Sequence, residues 1–172
     1  LGEVSEEGTE IWAAVAADNG IFKVTPPLAQ GGSWSVETLT GDAASDMTFA
    51  DFDGDGELEM LVMTPFHGDT VKIYKKVEGA YTCIHTFEES YEFAHGIWGA
   101  EIYGKGAAII GHRKGRRDLL ACTYDGSGYV MEVLDSDVGP ANVRVYPKDG
   151  KAGLVSTNRE IDEIAFYEIE SL

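Results

Sequence analysis

A glycine-centred hairpin pattern recurs along this chain at an interval of fifty residues. Gly54 and Gly56 interrupt one apolar stretch, and Gly104 and Gly106 interrupt a second stretch at the corresponding positions. Short β-compatible runs flank both glycine pairs, whereas no window shows the sustained periodicity and caps of an amphipathic helix. A repeat of this length built from short strands is typical of a β-propeller, in which each repeat forms one antiparallel sheet.

The repeats predict an all-β fold, a β-propeller segment of about four blades of four-stranded antiparallel sheet. A third hairpin bends at Asp149 and Gly150. We expect the first blade to lack its inner strand and the last blade to lack its outer strand. Because such an arc leaves sheet edges unpaired, the pattern predicts the C-terminal part of a larger propeller, or self-association through the open edges. The predicted blades are 1–40, 43–88, 91–136 and 139–172.

The first hairpin carries an acidic loop, DFDGDGELEM. Carboxylate oxygens at alternate positions of a tight turn can converge on a hard cation, and the backbone carbonyl of Glu57 would fill position 7. An EF-hand would also need a bidentate glutamate at position 12, where this chain has Val62, and it would need flanking helices. The loop therefore predicts a calcium site within a β-hairpin. Its acids and turn glycine fall at positions 1, 3, 5, 6 and 9: Asp51, Asp53, Asp55, Gly56 and Glu59.

This loop resembles that of the FG-GAP/VCBS repeat family, whose integrin-type β-propeller blades carry a D-x-D-x-D-G-x-x-D loop between their first two strands. The departure is Glu59 at the ninth position, where the family pattern has aspartate and this chain keeps an oxygen donor. The resemblance implies calcium as the cofactor and a binding or interaction scaffold as the role. The alternative is an acidic, solvated turn without metal, which we disfavour because three aspartates within five residues repel one another unless a cation or water screens them.

The second hairpin has similar flanking strands but lacks most of the acidic residues that would bind a cation. Glu101 takes the place of the first aspartate, but Tyr103, Lys105 and Ile109 occupy the other ligand positions. A lysine amine in such a loop can take the place of the cation and neutralise the acid. We expect this second loop to be free of metal.

Histidine and basic side chains collect in the loops predicted at the opposite end of the blades. Arginine is a fork donor suited to anionic groups, and histidine is a general base or a metal ligand, so these loops predict a pocket for an anionic or sugar ligand. The alternative is a solvated basic turn that balances an acidic chain. No nucleophile–base motif or phosphate loop is present, and we assign no catalytic residue. The candidate ligand-binding residues are His67, His95, His112, Arg113 and Arg159.

Composition restricts the classes of partner. The net charge of −17 argues against nucleic acid, whose phosphates need a basic surface, and no apolar run reaches the roughly 18–20 residues of a membrane helix. We expect a calcium-binding scaffold for a protein or carbohydrate ligand, with an extracellular or cell-surface location favoured over the cytoplasm. The alternative, from a weak similarity to propeller enzymes, is a metal-dependent carbohydrate lyase or dehydratase with a histidine-lined central site.

Overall fold

The computed structural model describes residues 4–7 and 10–171. Residues 1–3, 8–9 and 172 of the predicted blades lie outside the described residues. No helix in the part of the chain that the structure describes has the length and hydropathy of a membrane-spanning segment. The strands are β1 Val4–Glu7, β2 Glu10–Ala17, β3 Gly20–Thr25, β4 Ser35–Thr40, β5 Asp46–Ala50, β6 Glu59–Thr64, β7 Thr70–Val77, β8 Ala80–Thr86, β9 Ala94–Ile102, β10 Lys105–His112, β11 Leu119–Tyr124, β12 Tyr129–Asp135, β13 Pro140–Lys148, β14 Lys151–Asn158 and β15 Glu163–Ile169, with a single-turn 3-10 helix at Arg159–Ile161.

The strands form four antiparallel meanders in chain order. Sheet 1 contains β1–β4, sheet 2 contains β5–β8, sheet 3 contains β9–β12, and sheet 4 contains β13–β15. The first strands of sheets 2, 3 and 4 contact one another in succession, β5 with β9 and β9 with β13. This arrangement confirms the predicted all-β fold of propeller-like, four- and three-stranded sheets.

Apolar side chains fill the spaces between successive sheets in three clusters. Strand β6 shows how one strand serves two of them: Met60 and Val62 pack toward sheet 1, whereas Leu61 and Met63 pack toward sheet 3. Successive side chains of a strand point to opposite faces, so a strand between two sheets is apolar at every position. The continuous run after the acidic loop, buried from Glu59 to Thr64, follows from this position.

Sheets 2 and 3 approach closely where each begins. An alanine Cβ at Gly106 would lie 2.0 Å from the backbone oxygen of Asp51, and one at Gly99 would lie 2.5 Å from Thr48 Oγ1. The backbone N–H of Gly99 donates to the same Thr48 oxygen at 2.8 Å. Glycine is therefore required here by the neighbouring backbone, and Gly106 holds the first residue of the acidic loop against the second hairpin.

One expectation about the first blade is wrong. The segment Val4–Glu7 forms a strand that pairs antiparallel with β2, with Val4 opposite Ala13. Sheet 1 therefore has four strands, including the inner strand that we expected to be missing. The sequence VSEE has a single apolar residue and no apolar–polar alternation. Hydrophobic periodicity therefore cannot predict this strand, which depends on backbone pairing with its neighbour.

Candidate functional site

The acidic loop joins β5 to β6, and Asp51 organises its turn. The Oδ1 atom of Asp51 accepts a hydrogen bond from the Gly54 backbone N–H at 2.8 Å, and Oδ2 accepts one from the Gly56 N–H at 3.0 Å. Both glycines have positive φ, 76° and 92°, which side-chain-bearing residues adopt rarely. The D-x-D-G-D-G spacing thus places each glycine where the turn needs left-handed backbone and gives its N–H a carboxylate partner.

Two other acids of the loop also accept hydrogen bonds from its backbone. Asp55 Oδ1 accepts from the Glu57 backbone N–H at 3.0 Å, and Glu59 Oε2 accepts from the Phe52 N–H at 2.8 Å. Glu59 is fully buried at the start of β6. The side chain of Glu57 is exposed, and the predicted contribution of Glu57 to the site is its backbone carbonyl.

The carboxylates converge as a cation site requires. Oxygen atoms of Asp51, Asp53 and Glu59 lie within 4.8 Å of one another. Glu59 Oε1 is buried and receives no aligned hydrogen bond. Because a buried anionic oxygen is costly without a partner, this atom needs a cation beside it, and the Lys75 ammonium lies 2.6 Å away. The set of hard oxygen donors also fits calcium.

Lys75 extends from β7 into the same group of carboxylates. Its Nζ atom lies 2.7 Å from Asp53 Oδ2, 2.7 Å from Asp55 Oδ2 and 2.6 Å from Glu59 Oε1. Burial by itself would lower the pKa of the Lys75 ammonium, but its hydrogen bonds to the two aspartates and the nearby charge of Glu59 outweigh burial and raise that pKa. The Lys75 hydrogen bond, helped by the Glu57 N–H, holds the pKa of Asp55 below its ordinary value.

The second hairpin, between β9 and β10, turns through Tyr103 and Gly104. Both have positive φ, 53° and 78°. The Tyr103 hydroxyl donates to the backbone oxygen of Ile169 and accepts from the Ala152 N–H at 3.1 Å, which ties the turn to sheet 4. At the position that corresponds to Asp53 of the first loop, the second hairpin thus has a tyrosine that links two sheets.

Alternate connections of a meander lie at opposite ends of the sheets, so the β6–β7, β8–β9 and β10–β11 loops share the end away from the acidic loop. These loops bring together a stack of rings. The ring centroids of Phe66 and His67 lie 3.9 Å apart, those of His67 and Phe93 4.4 Å, and those of His67 and His95 5.5 Å. His95 Nδ1 lies 2.8 Å from the Ala141 carbonyl oxygen, so this nitrogen is the donor of that hydrogen bond.

Two cations border this stack. The Arg113 guanidinium lies 4.9 Å and the Lys114 ammonium 5.1 Å from the Phe93 ring centroid. Arg113 also donates through Nε and Nη2 to one oxygen of Glu160, at 2.9 and 2.7 Å. The Phe93 ring therefore lies beneath both cations, and Arg113 already has a carboxylate partner. We call the stack and its two cations the ring cluster: Phe66, His67, Phe93, His95, Arg113 and Lys114.

The remaining two candidate ligand residues, His112 and Arg159, are not among the stacked rings. His112 is 1% exposed, and both of its ring nitrogens are engaged: Nδ1 lies 2.9 Å from the Lys114 backbone oxygen and Nε2 accepts from the Asp118 N–H at 3.1 Å. His112 thus orders the β10–β11 loop and has no ring nitrogen left for a ligand. Arg159 is exposed at the single-turn helix after β14.

Sequence reasoning missed Lys75 and Phe93. Lys75 belongs to a different strand from the acidic loop, and it is one of three lysines in that strand, so nothing in the sequence distinguishes it. Phe93 lies in the loop before β9, between the exposed Glu92 and the buried Ala94, and no motif marks it as a ligand-binding residue. In both cases the contact depends on which loops and strands become neighbours.

The fold defines the class of protein as a β-propeller type, seen here as an arc of four sheets. No protein-family model matches the sequence, and a search of curated proteins finds no match. The FG-GAP/VCBS resemblance and the calcium site therefore stay predictions.

Comparison with solved structures agrees on the fold. A Bacteroides fragilis protein assigned as a 6-phosphogluconolactonase superposes with a TM-score of 0.64 at 17% identity, over 99% of this chain and 51% of that protein. An arginine-to-alanine triple mutant of AofleA from Arthrobotrys oligospora gives a TM-score of 0.65 at 11% identity, over 98% and 56%. An ancestral GH74 enzyme gives 0.63 at 10%, over 96% and 25%. This chain thus spans about half or less of the structures it resembles.

Proposed function

We propose that this chain is a calcium-binding β-propeller module that presents a ligand-binding face at the end opposite the calcium loop. The observation that supports the calcium proposal is the convergence of Asp51, Asp53 and Glu59, whose carboxylate oxygens lie within 4.8 Å of one another. Calcium would supply two positive charges to these carboxylates, which the single Lys75 ammonium neutralises only in part. The residues that would hold it are Asp51, Asp53, Asp55 and Glu59, with the Glu57 carbonyl.

Thermal unfolding tests this proposal. A ligand that binds only the folded state stabilises it by RT ln(1 + [L]/Kd), so calcium should raise the Tm of the chain relative to EDTA. Asp53→Asn should reduce that increment. Asp149→Asn is the matched control, because it removes one carboxylate from the exposed bend of the β13–β14 hairpin. Equal melting curves with calcium and EDTA would refute the assignment.

The ring cluster is the proposed site for a protein or carbohydrate ligand. Phe66 is 60% exposed and stacks one face on His67, so its other face is available to a sugar ring or an apolar side chain. Lys114 adds an exposed cation beside it. A glycan array should show binding that Phe66→Ser abolishes. Leu28→Ser, which removes a fully exposed leucine from the loop between β3 and β4, is the control and should leave binding intact.

An enzyme is the second candidate, and the proximity of His67 and His95 is the observation behind it. Their ring centroids lie 5.5 Å apart, and the Ala141 carbonyl engages His95 Nδ1, so Nε2 is the nitrogen that a metal would use. A metal-dependent carbohydrate lyase or dehydratase would use such a pair beside the central strands. Assay of acidic polysaccharides for unsaturated products, with and without added zinc, tests this candidate, and His95→Ala should abolish any activity.

Self-association is part of the proposal. Among the described residues, sheets 1 and 4 each pack against one other sheet, and both carry exposed apolar side chains. Trp34 and Val36 are each 64% exposed in sheet 1 and its adjoining loop, and Ile164 and Phe166 are 66% and 71% exposed in sheet 4. Light scattering should show a dimer or larger species that Phe166→Asp weakens.

An extracellular or cell-surface location suits the calcium proposal. Extracellular calcium modules commonly work at dissociation constants of about 10⁻⁴–10⁻³ M, a range in which a loop with exposed aspartates would be saturated outside the cell. Calcium titration of the chain tests this point, since a Kd of about 10⁻⁷ M would instead suit a cytoplasmic sensor.

A further inference from the structure

The ammonium of Lys75 lies inside the acidic loop, at the point where the carboxylates converge. Its Nζ contacts Asp53, Asp55 and Glu59 at 2.6–2.7 Å. Asp53 and Glu59 are also two of the three residues whose oxygens lie within 4.8 Å of one another. The positive end of Lys75 and a calcium ion would therefore need the same oxygens.

Strand register places Lys75 there. Met60 of β6 pairs with Tyr74 of β7, so Lys75 lies beside Glu59, the residue that precedes Met60. The Lys75 side chain is 18% exposed and that of Glu59 is 0% exposed. Because a buried carboxylate needs a cation close by, the pairing of β6 with β7 supplies one from within the chain.

We propose that Lys75 is the resident cation of the acidic loop, that it keeps the loop folded without calcium, and that calcium must displace it to bind. This inference rests on the proposed calcium site and deepens it, because it names the residue that sets calcium affinity. A single ammonium neutralises one of the carboxylate charges, and a divalent ion neutralises two. Calcium binding would then exchange one cation for another, and its affinity would be lowered by the cost of breaking the ion pairs of Lys75.

Calcium titration by calorimetry on Lys75→Met tests the exchange. Lys72→Met is the matched control: it removes one positive charge from the same strand and breaks one ion pair, 2.8 Å from Asp42, outside the loop. Lys75→Met should bind calcium about tenfold more tightly than wild type, equivalent to about 1.4 kcal/mol. Its Tm in EDTA should fall further than that of Lys72→Met.

The outcomes separate this inference from the calcium proposal itself. If Lys75→Met and wild type bind calcium equally, Lys75 is not displaced, and the calcium site stands without it. If only Lys75→Met binds calcium, Lys75 is the resident cation, and calcium is not the ligand of the wild-type loop. If neither binds, both proposals fail.

Wild-type protein offers a second test that does not depend on a variant folding. Reductive methylation of lysines, read out by mass spectrometry, should label Lys75 slowly in EDTA, because its amine is held by three carboxylates. Calcium should raise that labelling severalfold, whereas Lys72 should be labelled equally in both buffers. Unchanged Lys75 labelling under conditions where calorimetry detects calcium would overturn the proposal.

Discussion

The β5–β6 and β9–β10 hairpins share a backbone pattern but hold their turns by different physical means. In the first, Asp51 accepts two backbone N–H groups and Lys75 joins the remaining acids. In the second, Tyr103 bonds across to the backbone of sheet 4. The comparison teaches that a propeller turn can be fixed by a local charge cluster or by contact with the neighbouring sheet. The charge cluster is the form that a cation can regulate.

The largest expected loss of stability comes from removing the buried acid of the first hairpin, compared with an exposed acid of the second. Glu59→Ala removes the buried carboxylate that pairs with Lys75 and accepts from Phe52, and it should cost about 3 kcal/mol of unfolding free energy in urea denaturation. Glu101→Ala, the exposed acid at the corresponding region of the second hairpin, should cost less than about 0.5 kcal/mol. Similar losses in the two variants would break the comparison.

Packing between the hairpins should give the next largest effect. Gly106→Ala would place a Cβ 2.0 Å from the Asp51 backbone oxygen, so the two hairpins must move apart. We expect the free energy of unfolding to fall by about 2 kcal/mol. The increase of Tm with calcium should also be smaller, because the displaced residue, Asp51, is the first of the loop. Gly128→Ala is the control, because nothing lies within 4 Å of its Cβ position and its φ is not positive. A neutral Gly106→Ala would show that the hairpins are independent.

A smaller effect should come from the hydroxyl of Tyr103. Tyr103→Phe keeps the ring and removes the bonds to Ile169 and Ala152, which should cost about 1 kcal/mol by urea denaturation. The loss should be the same with calcium and with EDTA, because no carboxylate cluster is disturbed. A calcium-dependent loss would mean that the two turns are coupled.

The smallest effect concerns acid pH. Lys75 holds the pKa of Asp55 below its ordinary value of 3.8. The stability that this ion pair gives the folded state is therefore fully present above pH 3.8, and it is lost as pH falls through the lower pKa of the folded state. Carbon-13 titration of the carboxyl groups should show the Asp55 pKa rise toward 3.8 in Lys75→Met. An unchanged Asp55 titration in that variant would contradict the ion pair.

The sequence predicted the fold class well because blade repeats are carried by local alternation and by turn glycines. The β5–β6 hairpin, with its positive-φ glycines at 54 and 56, follows from ten consecutive residues. The strand Val4–Glu7 escaped prediction because pairing with β2 creates it. The ring cluster was predicted in part: His67 and His95 were flagged, but their stacking with Phe93 depends on loops that only the packed sheets bring together.

By itself the sequence determined that carboxylates would converge in the first hairpin, because their ligand spacing lies within one short turn whose geometry is local. Only the tertiary structure decided what neutralises them. Lys75 follows Asp55 by twenty residues, and it reaches the loop because β7 pairs with β6 in one particular register. Local spacing fixes the shape of a turn, whereas the charge around it is set by whichever strand the sheet places alongside.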